Sequence, residues 1–383
     1  MISARRKYKV TTALLVLIVL LMVILLASGC VGGLAPVGWS GGTVSDDKLY
    51  IGSTEGRLVV INLADESRQW AEPMREGSQG LGCSFFPGVG GCSSAAGVAI
   101  YGTPVVYNGL VYAAGYNGKI YAYNSDTLAV RWVYPREGYL KPFVGGIVID
   151  GGSLYIGSTD GIVYALDAET GDLLWNFETE KEIWATPAVN GDTIYIGSFD
   201  EKFYAINAAD GSKKWEFTTE GAIVATPVIY NGIIYFGSLD KNLYAVDTTS
   251  GNKKWQFSGE NWFWAMPVLH EGRIYAGCMD DRLYVLDAIT GNKINEIDLG
   301  SPVPSTPVII GDKLIVASKE GIVFSVNTAS GSLTTLVELD ELEILGPLTG
   351  YGSIVYIHTQ DKKLHRINVE NGAVLRDIDL AMP

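Results

Sequence analysis

Histidine and cysteine are scarce in this chain, and this limits the metal sites that it could hold. Its 383 residues include three His and four Cys. Eight residues separate Cys83 from Cys92, whereas paired zinc ligands usually have two to four residues between them. His358 and His365 are placed to pair across two strands of the last repeat, but no third ligand is evident. We therefore predict no metal site.

Basic residues are also few. Lys and Arg total 28 against 42 Asp and Glu, for a formal charge of −14. An acidic surface repels phosphate backbones, so the sequence predicts no nucleic-acid partner. It also repels anionic lipid, so any membrane attachment must come from another feature.

The N-terminus supplies that feature. A basic stretch, "ARRKYK", precedes an apolar run from Ala13 to Ala27, and "ASGC" then places small residues before Cys30. The arrangement resembles a bacterial lipoprotein signal, which implies that residues 1–30 are a signal peptide and that Cys30 is lipidated. An uncleaved signal anchor is the alternative. Both predict a membrane-anchored, extracytoplasmic protein, in the periplasm or on the cell surface, with residues 31–38 as a short linker.

No helical period follows residue 30; a repeat of about 40 residues takes its place. Strands ending in Gly-Ser or a variant of it recur at Gly115, Gly157, Gly197, Gly237 and Gly277, 42 or 40 residues apart. Each unit holds four strands, as in "ATPAV", "TIYIGS", "KFYAIN" and "KKWEF", separated by turn signals such as Asn-Gly and Asp-Gly. The sequence therefore predicts an all-β fold, an eight-bladed β-propeller of four-stranded antiparallel blades over residues 39–383.

Within each unit an Asp or Asn is followed by a turn and, in five units, by a Trp eight residues later. The acceptor side chain is expected to start the turn between the third and fourth strands. The Trp falls on the outermost strand, where it can wedge against the next blade. The predicted blade-docking residues are Trp70, Trp132, Trp175, Trp215 and Trp255. Units six to eight have Asn295, Thr335 and Arg376 there, so those blades must be joined less tightly or by other contacts.

The pattern Ala-x-Asp-x-x-Thr-Gly-x-x-x-Trp resembles the tryptophan-docking repeat of the quinoprotein family, whose propellers carry pyrroloquinoline quinone (PQQ). That family contains quinone-dependent dehydrogenases and non-enzymatic propellers, among them the lipoproteins of the outer-membrane β-barrel assembly machine. The chain is similar to those lipoproteins in length, anchor and eight uninterrupted blades. The resemblance implies a non-catalytic, membrane-anchored protein-interaction scaffold in envelope or outer-membrane protein assembly.

A PQQ-dependent dehydrogenase is the first alternative, and a propeller that binds cell-wall carbohydrate is the second. A dehydrogenase needs a metal held by carboxylate and amide oxygens and a carboxylate that accepts a proton. Many also have two adjacent cysteines, which this chain lacks. The blades leave little room for insertions, and Glu182, Glu260 and Asp281 are expected to be solvated turn residues. We therefore predict no enzyme and no cofactor.

Three tryptophans have no place in the docking pattern. Trp184, Trp262 and Trp264 precede innermost strands and should share one face of the propeller with Phe85 and Phe86. These five aromatics are the predicted binding site for an envelope protein partner; plugging of the central funnel is the alternative.

Phe85 and Phe86 lie in an insertion, residues 74–98, between blades one and two. There Cys83 and Cys92 are predicted to form a disulfide, and the protein is expected to be a monomer.

Overall fold

The computed structural model of the chain describes residues 40–53, 55–74, 98–339 and 342–381. All of these lie in a compact unit spanning residues 37–383. They form 32 strands in eight four-stranded sheets, each antiparallel and in simple chain order. The predicted eight-bladed all-β propeller is therefore confirmed. The described ranges include no helix, and hence none long and apolar enough to span a membrane.

The blades are numbered one to eight in chain order, and each contributes four strands from the innermost to the outermost. Blades one to four contain β1 (Gly42–Ser45), β2 (Lys48–Gly52), β3 (Leu58–Asn62), β4 (Arg68–Trp70), β5 (Val105–Tyr107), β6 (Leu110–Gly115), β7 (Lys119–Asn124), β8 (Val130–Tyr134), β9 (Val148–Asp150), β10 (Ser153–Gly157), β11 (Ile162–Asp167), β12 (Leu173–Glu178), β13 (Ala188–Asn190), β14 (Thr193–Gly197), β15 (Lys202–Asn207) and β16 (Lys213–Thr218). Blades five to eight contain β17 (Val228–Tyr230), β18 (Ile233–Gly237), β19 (Asn242–Asp247), β20 (Lys253–Ser258), β21 (Val268–His270), β22 (Arg273–Gly277), β23 (Arg282–Asp287), β24 (Lys293–Asp298), β25 (Val308–Ile310), β26 (Lys313–Ala317), β27 (Ile322–Asn327), β28 (Leu333–Glu338), β29 (Thr349–Tyr351), β30 (Ile354–His358), β31 (Lys363–Asn368) and β32 (Ile378–Asp379).

The middle strands are buried on both faces because each blade lies between two others. All five residues of β14 are buried, whereas the residues of the outermost strand β16 alternate between exposed and half-buried. The innermost strand β13 starts at Ala188, three residues later than the sequence suggested. Pro187 directly before it has no N–H to donate to a ladder, so pairing begins after it.

In blades one and three to six, the neighbouring blade requires the Gly that ends the second strand. A Cβ added at Gly197 would lie 2.2 Å from Ile223 Cγ2 of blade five. The Gly of the outer turn has two constraints: Gly171 has φ +73°, and its added Cβ would lie 2.6 Å from the Trp132 ring. At both positions the absence of a Cβ lets adjacent blades pack closely together.

Four of the repeated tryptophans dock on the following blade in the same way. Trp132 Nε1–H donates to the carbonyl of Ala168 at 3.0 Å, and the Tyr112 hydroxyl donates to the same oxygen at 3.0 Å. The same Trp and Tyr pair recurs at the next three seams. There the indole N–H groups of Trp175, Trp215 and Trp255 donate to the carbonyls of Ala208, Thr248 and Ala288 at 2.9, 3.1 and 3.0 Å.

Trp70 differs, because it contacts blade eight instead of blade two. In blades two to five a β-bulge places the Trp opposite the Ala two residues before the turn, as in Ala165 with Trp175. Blade one has no bulge there, and Trp70 pairs with Val59. A shift of one residue reverses the face of a side chain, so Trp70 Nε1–H donates to the carbonyl of Leu380 at 3.2 Å.

Cationic side chains replace the tryptophan at the next two seams. Arg273 Nη1 donates to the carbonyl of Thr328 at 2.7 Å, alongside the Tyr275 hydroxyl at 3.3 Å. Lys313 Nζ donates to the carbonyl of Val369 at 3.1 Å. The carbonyls of Thr328 and Val369 occupy the repeat position of the Ala168 carbonyl. Blade six is therefore joined to blade seven, and blade seven to blade eight, by a cationic donor to the same backbone position.

The ring closes between blades eight and one without strand exchange among the described residues. Gly42 N–H donates to Thr349 Oγ1 at 2.8 Å, and Arg366 Nη1 donates to Glu66 Oε1 at 2.7 Å. A shared apolar cluster includes Leu49, Ile51, Tyr356, Leu364 and Ile378. Side-chain packing, together with these bonds, therefore holds the last seam.

Candidate functional site

One face of the propeller carries the segments that lead into the innermost strands and the turns between second and third strands; we call it the mouth face. The two sets of backbone are bonded to each other. Phe199 N–H donates to the carbonyl of Glu182 at 2.9 Å, and Met279 N–H donates to that of Trp262 at 2.9 Å. The predicted placement of Trp184, Trp262 and Trp264 on one face with these turns is thus what the structure shows.

At the centre of the mouth face is a cavity of about 110 Å³ lined by seven blades. Each of the seven blades contributes an apolar or aromatic residue, and in four of them a Thr two residues further along the chain also lines the cavity. The described lining residues are Tyr101, Gly102, Thr103, Val144, Gly145, Gly146, Trp184, Thr186, Val224, Thr226, Trp264, Ala265, Met266, Pro304, Thr306, Leu345 and Pro347. None of them carries a charge; burial raises the pKa of Tyr101 to about 12, so its phenol is neutral.

Trp184 and Trp264 meet across the cavity. Their ring centroids are 6.2 Å apart at an interplanar angle of 74°, and Trp184 also packs edge-on against Phe199 at 4.7 Å. Edge-to-face packing of this kind fixes ring orientation. Trp184 Nε1 is buried and has no hydrogen-bond partner among the described residues. The cavity therefore has an aromatic wall whose two rings are held in a fixed orientation.

Trp262 lies outside the cavity and is 44% exposed. Two tyrosines that the sequence argument missed are exposed on the same face: Tyr116, at 40%, in the turn after β6, and Tyr139, at 47%, before β9. Tyr101 was also missed, although it occupies in its repeat the position that Trp184 occupies in blade four. Phe85 and Phe86 lie outside the described residues.

The surround of the cavity is acidic. In blades three to seven, Glu182, Glu201, Glu220, Asp281 and Glu320 form no ion pair within the described chain, whereas only Lys141, Lys181 and Lys241 are unpaired cations there. The mouth face thus combines exposed aromatic rings, an uncharged centre and an excess of negative charge.

Known proteins match this architecture. A sequence family described as "Outer membrane protein assembly factor BamB" matches residues 42–177 and 159–378. The chain belongs to this family.

Two curated proteins are similar to part of this chain. The outer membrane protein assembly factor BamB of Alkalilimnicola ehrlichii is 27% identical over 138 residues, which is 36% of this chain and 32% of that protein. The serine/threonine-protein kinase AfsK of Streptomyces griseus is 28% identical over 144 residues, 37% of this chain and 16% of the kinase. The chain thus spans a third or less of the length of these curated relatives.

A solved structure shares the fold over a larger span. The crystal structure of BamB from Moraxella catarrhalis superposes with a TM-score of 0.65 and 19% identity, covering 84% of this chain and 93% of the other. At that identity the likeness establishes the propeller fold alone.

The mouth of this BamB-family propeller does not fit PQQ and its metal. The cavity of about 110 Å³ is well below the roughly 300–1,000 Å³ of small-molecule sites. No carboxylate or amide side chain is among its described lining residues. Of the acids considered for catalysis, Glu260 pairs with Arg282 at 3.2 Å, and neither Glu182 nor Asp281 lines the cavity.

The repeated Asp of the mouth turns has a structural partner. Asp200 Oδ2 accepts from the Tyr204 hydroxyl at 2.6 Å and from Glu180 N–H at 3.0 Å. Burial, and then the bond to Asp200, raise the pKa of Tyr204. Equivalent bonds join Asp240 to Tyr244 and Asp280 to Tyr284. Within the described ranges no group of three or more His, Cys, Asp or Glu is placed to hold a metal ion.

The two histidines of blade eight do not pair directly as expected. The register puts His365 opposite Ile357 and His358 opposite Leu364. The expected pairing was wrong because the register is offset by one residue from the one assumed. His358 Nδ1 lies 3.2 Å from the carbonyl of Ser40 in blade one, and His365 Nδ1 lies 3.0 Å from Asp377 Oδ1. Both rings are buried. His358 belongs to the seam between blades eight and one, whereas the partner of His365, Asp377, lies in blade eight itself.

The four cysteines fall in two groups. Cys278 is buried, and burial raises the pKa of its thiol to about 12, so the reactive thiolate is suppressed. Cys30, Cys83 and Cys92 lie outside the described residues, as do the signal segment and linker. Lipidation of Cys30 and the disulfide stay predictions.

Proposed function

We propose that this chain is a non-catalytic, membrane-anchored, extracytoplasmic scaffold that binds an envelope protein partner through its mouth face. The observation that carries the proposal is the mouth itself, where exposed Trp262, Tyr116 and Tyr139 surround an uncharged aromatic cavity. Large aromatic side chains on a polar, charged surround are typical of protein-interaction hot spots.

Membership of the BamB family supports the cellular setting of this proposal. Its members are named as outer membrane protein assembly factors. By extension, the scaffold is proposed to act in envelope or outer-membrane protein assembly. Lipidation at Cys30, after removal of residues 1–30, would hold the propeller at the membrane through the linker of residues 31–38, and the scaffold acts as a monomer.

We propose a non-catalytic role because the described lining of the mouth lacks the groups that quinone chemistry requires. Its described lining carries only hydroxyl, indole and backbone polar groups, and these do not provide a metal site. The nearby acids are either hydrogen-bonded to tyrosines, paired with cations or exposed.

Affinity capture from the native host tests the proposal. Replacement of Trp184, Trp262 and Trp264 by Ala should weaken capture, since single hot-spot aromatics contribute about 2 kcal/mol or more. The matched control replaces Leu174 and Ile294, which are 51% and 50% exposed on outer strands, by Ala. Equal capture by both variants, with unchanged circular dichroism, would place the binding site away from the mouth.

A further inference from the structure

A groove lies between blades two and three on the face opposite the mouth, which carries the turns between first and second strands and those between third and fourth strands. The groove has a volume of about 440 Å³, within the roughly 300–1,000 Å³ of small-molecule sites. Its lining includes Arg131 from blade two and Glu169 from blade three. A second opening of about 390 Å³ is lined by the same two residues, so both charged side chains flank one continuous groove.

Glu169 lacks the cation that residues at its position contact elsewhere in the ring. At two other seams an acid at this position pairs with a lysine that begins the second strand of the preceding blade. The pairs are Lys48 with Asp126 at 3.0 Å and Lys313 with Glu370 at 2.5 Å. In blade two Leu110 holds the place of that lysine. Glu169 therefore forms no ion pair within the described ranges.

Arg131 lacks an anion for a similar reason. The lysines at its position in blades four and five pair with carboxylates of their own blades. The pairs are Lys214 with Asp192 at 2.7 Å and Lys254 with Asp247 at 2.9 Å. In blade two the places of these acids are held by the uncharged residues Gly109 and Asn124. Arg131 accordingly has no ion pair among the residues that the structure describes, and it does not pair with Glu169 either.

The other charged groups of the groove do not neutralise this pair. Asp167 lies on the same wall as Glu169, where its Oδ1 accepts from the N–H groups of Glu169 and Thr170, and it forms no ion pair in the described chain. Arg136, at the second opening, is paired with Asp172 at 2.6 Å. The blade-three wall of the groove is therefore negative, and an unpaired positive charge lies on the blade-two wall.

The repeat shows which groups fit beside these charges. Lysines at two other seams place an ammonium beside the equivalent of Glu169, and aspartates of two other blades place a carboxylate beside the equivalent of Arg131. Half-buried Tyr107 and Leu110 add apolar surface to the lining. A ligand with a charge of one sign would leave the other wall unpaired, whereas a ligand with both charges is complementary to both walls.

We infer that the groove between blades two and three binds a small zwitterion of the amino-acid or short-peptide class, with its carboxylate at Arg131 and its ammonium at Glu169. The site goes beyond the proposed scaffold function, because it lies on the opposite face from the mouth and shares no residue with it.

Isothermal titration of the purified protein with leucine and with glycyl-leucine tests the inference and distinguishes a free amino acid from a peptide. At least one of them should bind in the millimolar range. The N-acetyl and C-amide forms of that ligand, which each lack one charge, should bind about fivefold more weakly, as expected for loss of one exposed ion pair. High salt should weaken binding of the parent ligand because it screens both charges.

Single variants assign the two ends of the ligand. Arg131→Gln and Glu169→Gln should each weaken binding of the parent ligand about fivefold. Glu169→Gln should have no effect on the N-acetyl form, and Arg131→Gln none on the C-amide form, because the matching charge is already absent. Lys214→Gln, which removes the equivalent cation of blade four, is the control and should leave binding unchanged.

Variants that restore the repeat provide a second measurement. Leu110→Lys places an ammonium beside Glu169 as Lys48 does beside Asp126, so it should reduce binding at least as much as Glu169→Gln. Circular dichroism checks that each variant is folded.

The inference would be overturned if neither ligand bound, if the N-acetyl and C-amide forms bound as well as the parent, or if Leu110→Lys left binding unchanged. The triple Ala variant of Trp184, Trp262 and Trp264 should bind the zwitterion normally. Loss of partner capture in that variant, together with absence of zwitterion binding to the unaltered protein, would refute the groove and leave the scaffold proposal standing.

Discussion

Two side chains from blade two share one acceptor in blade three, and this predicts strongly non-additive mutations. Trp132 Nε1–H and the Tyr112 hydroxyl both donate to the Ala168 carbonyl at 3.0 Å, and all three residues are buried. Trp132→Phe or Tyr112→Phe alone leaves the carbonyl with one donor. Each should lower the free energy of unfolding by about 1 kcal/mol for the lost bond, with a further contribution from the smaller ring in Trp132→Phe.

The double variant removes both donors and leaves a buried carbonyl without a partner. That state costs about 1–3 kcal/mol beyond the single losses. Urea unfolding of the mature protein should therefore show a coupling energy of at least about 1 kcal/mol, with a loss of unfolding free energy larger than the sum of the single variants. Additivity within about 0.5 kcal/mol, the range found for independent sites, would refute the shared-acceptor account.

Blade one provides the matched control. Trp70 donates to the carbonyl of Leu380 in blade eight, and Tyr50, which corresponds to Tyr112, has no acceptor in common with it. Trp70→Phe and Tyr50→Phe should then be additive. Coupling of equal size in both pairs would show that the effect comes from ring packing and not from the shared carbonyl.

Three further predictions follow from single sites. Burial lowers the pKa of His358, so the neutral ring is favoured in the folded state. Because the unfolded chain takes up the proton first, the free energy of unfolding should be full above about pH 6.5 and fall as the pH drops below it. The urea midpoints at pH 7.5 and pH 5.5 should therefore differ less for His358→Gln than for the unaltered protein, and an equal difference would contradict the assignment. Cys30→Ser should abolish palmitate labelling and signal removal, and labelling that persists would exclude Cys30 as the lipid site. Cys83 and Cys92 should be oxidised in protein from its native compartment, with a stabilisation of roughly 2–3 kcal/mol, so two free thiols by mass spectrometry would show that no disulfide forms.

The repeat made most of the fold predictable from sequence. Turn residues such as Asp167 occupy the same place in successive units, and Asp167 Oδ1 accepts from the N–H groups of Glu169 and Thr170 as its turn chemistry requires. The direction of Trp70 was not predictable, because the sequence spacing is the same with or without a bulge. The contacts of Arg273 and Lys313 with the next blade were not predicted. Both residues begin the second strand of their blade, a position at which the repeat has no common residue type.

The candidate site was predictable only in outline. The position of Trp184 and Trp264 before innermost strands was enough to assign them to one face. The volume of the cavity and the unpaired Nε1 of Trp184 depend on how seven blades converge, which no local pattern encodes. Tyr101 and Leu345 line the same cavity, yet their segments lack the Ala-Thr-Pro sequence that follows Trp184.

Photo-cross-linking in the native envelope tests the central claim, that the mouth face binds a protein partner, most directly. A photoreactive residue in place of Trp262 should give one dominant cross-linked protein, and the same residue in place of Leu174 or Ile294 on the outer strands should give none. Cross-links from the outer strands, with none from position 262, would contradict the claim that partners bind at the mouth.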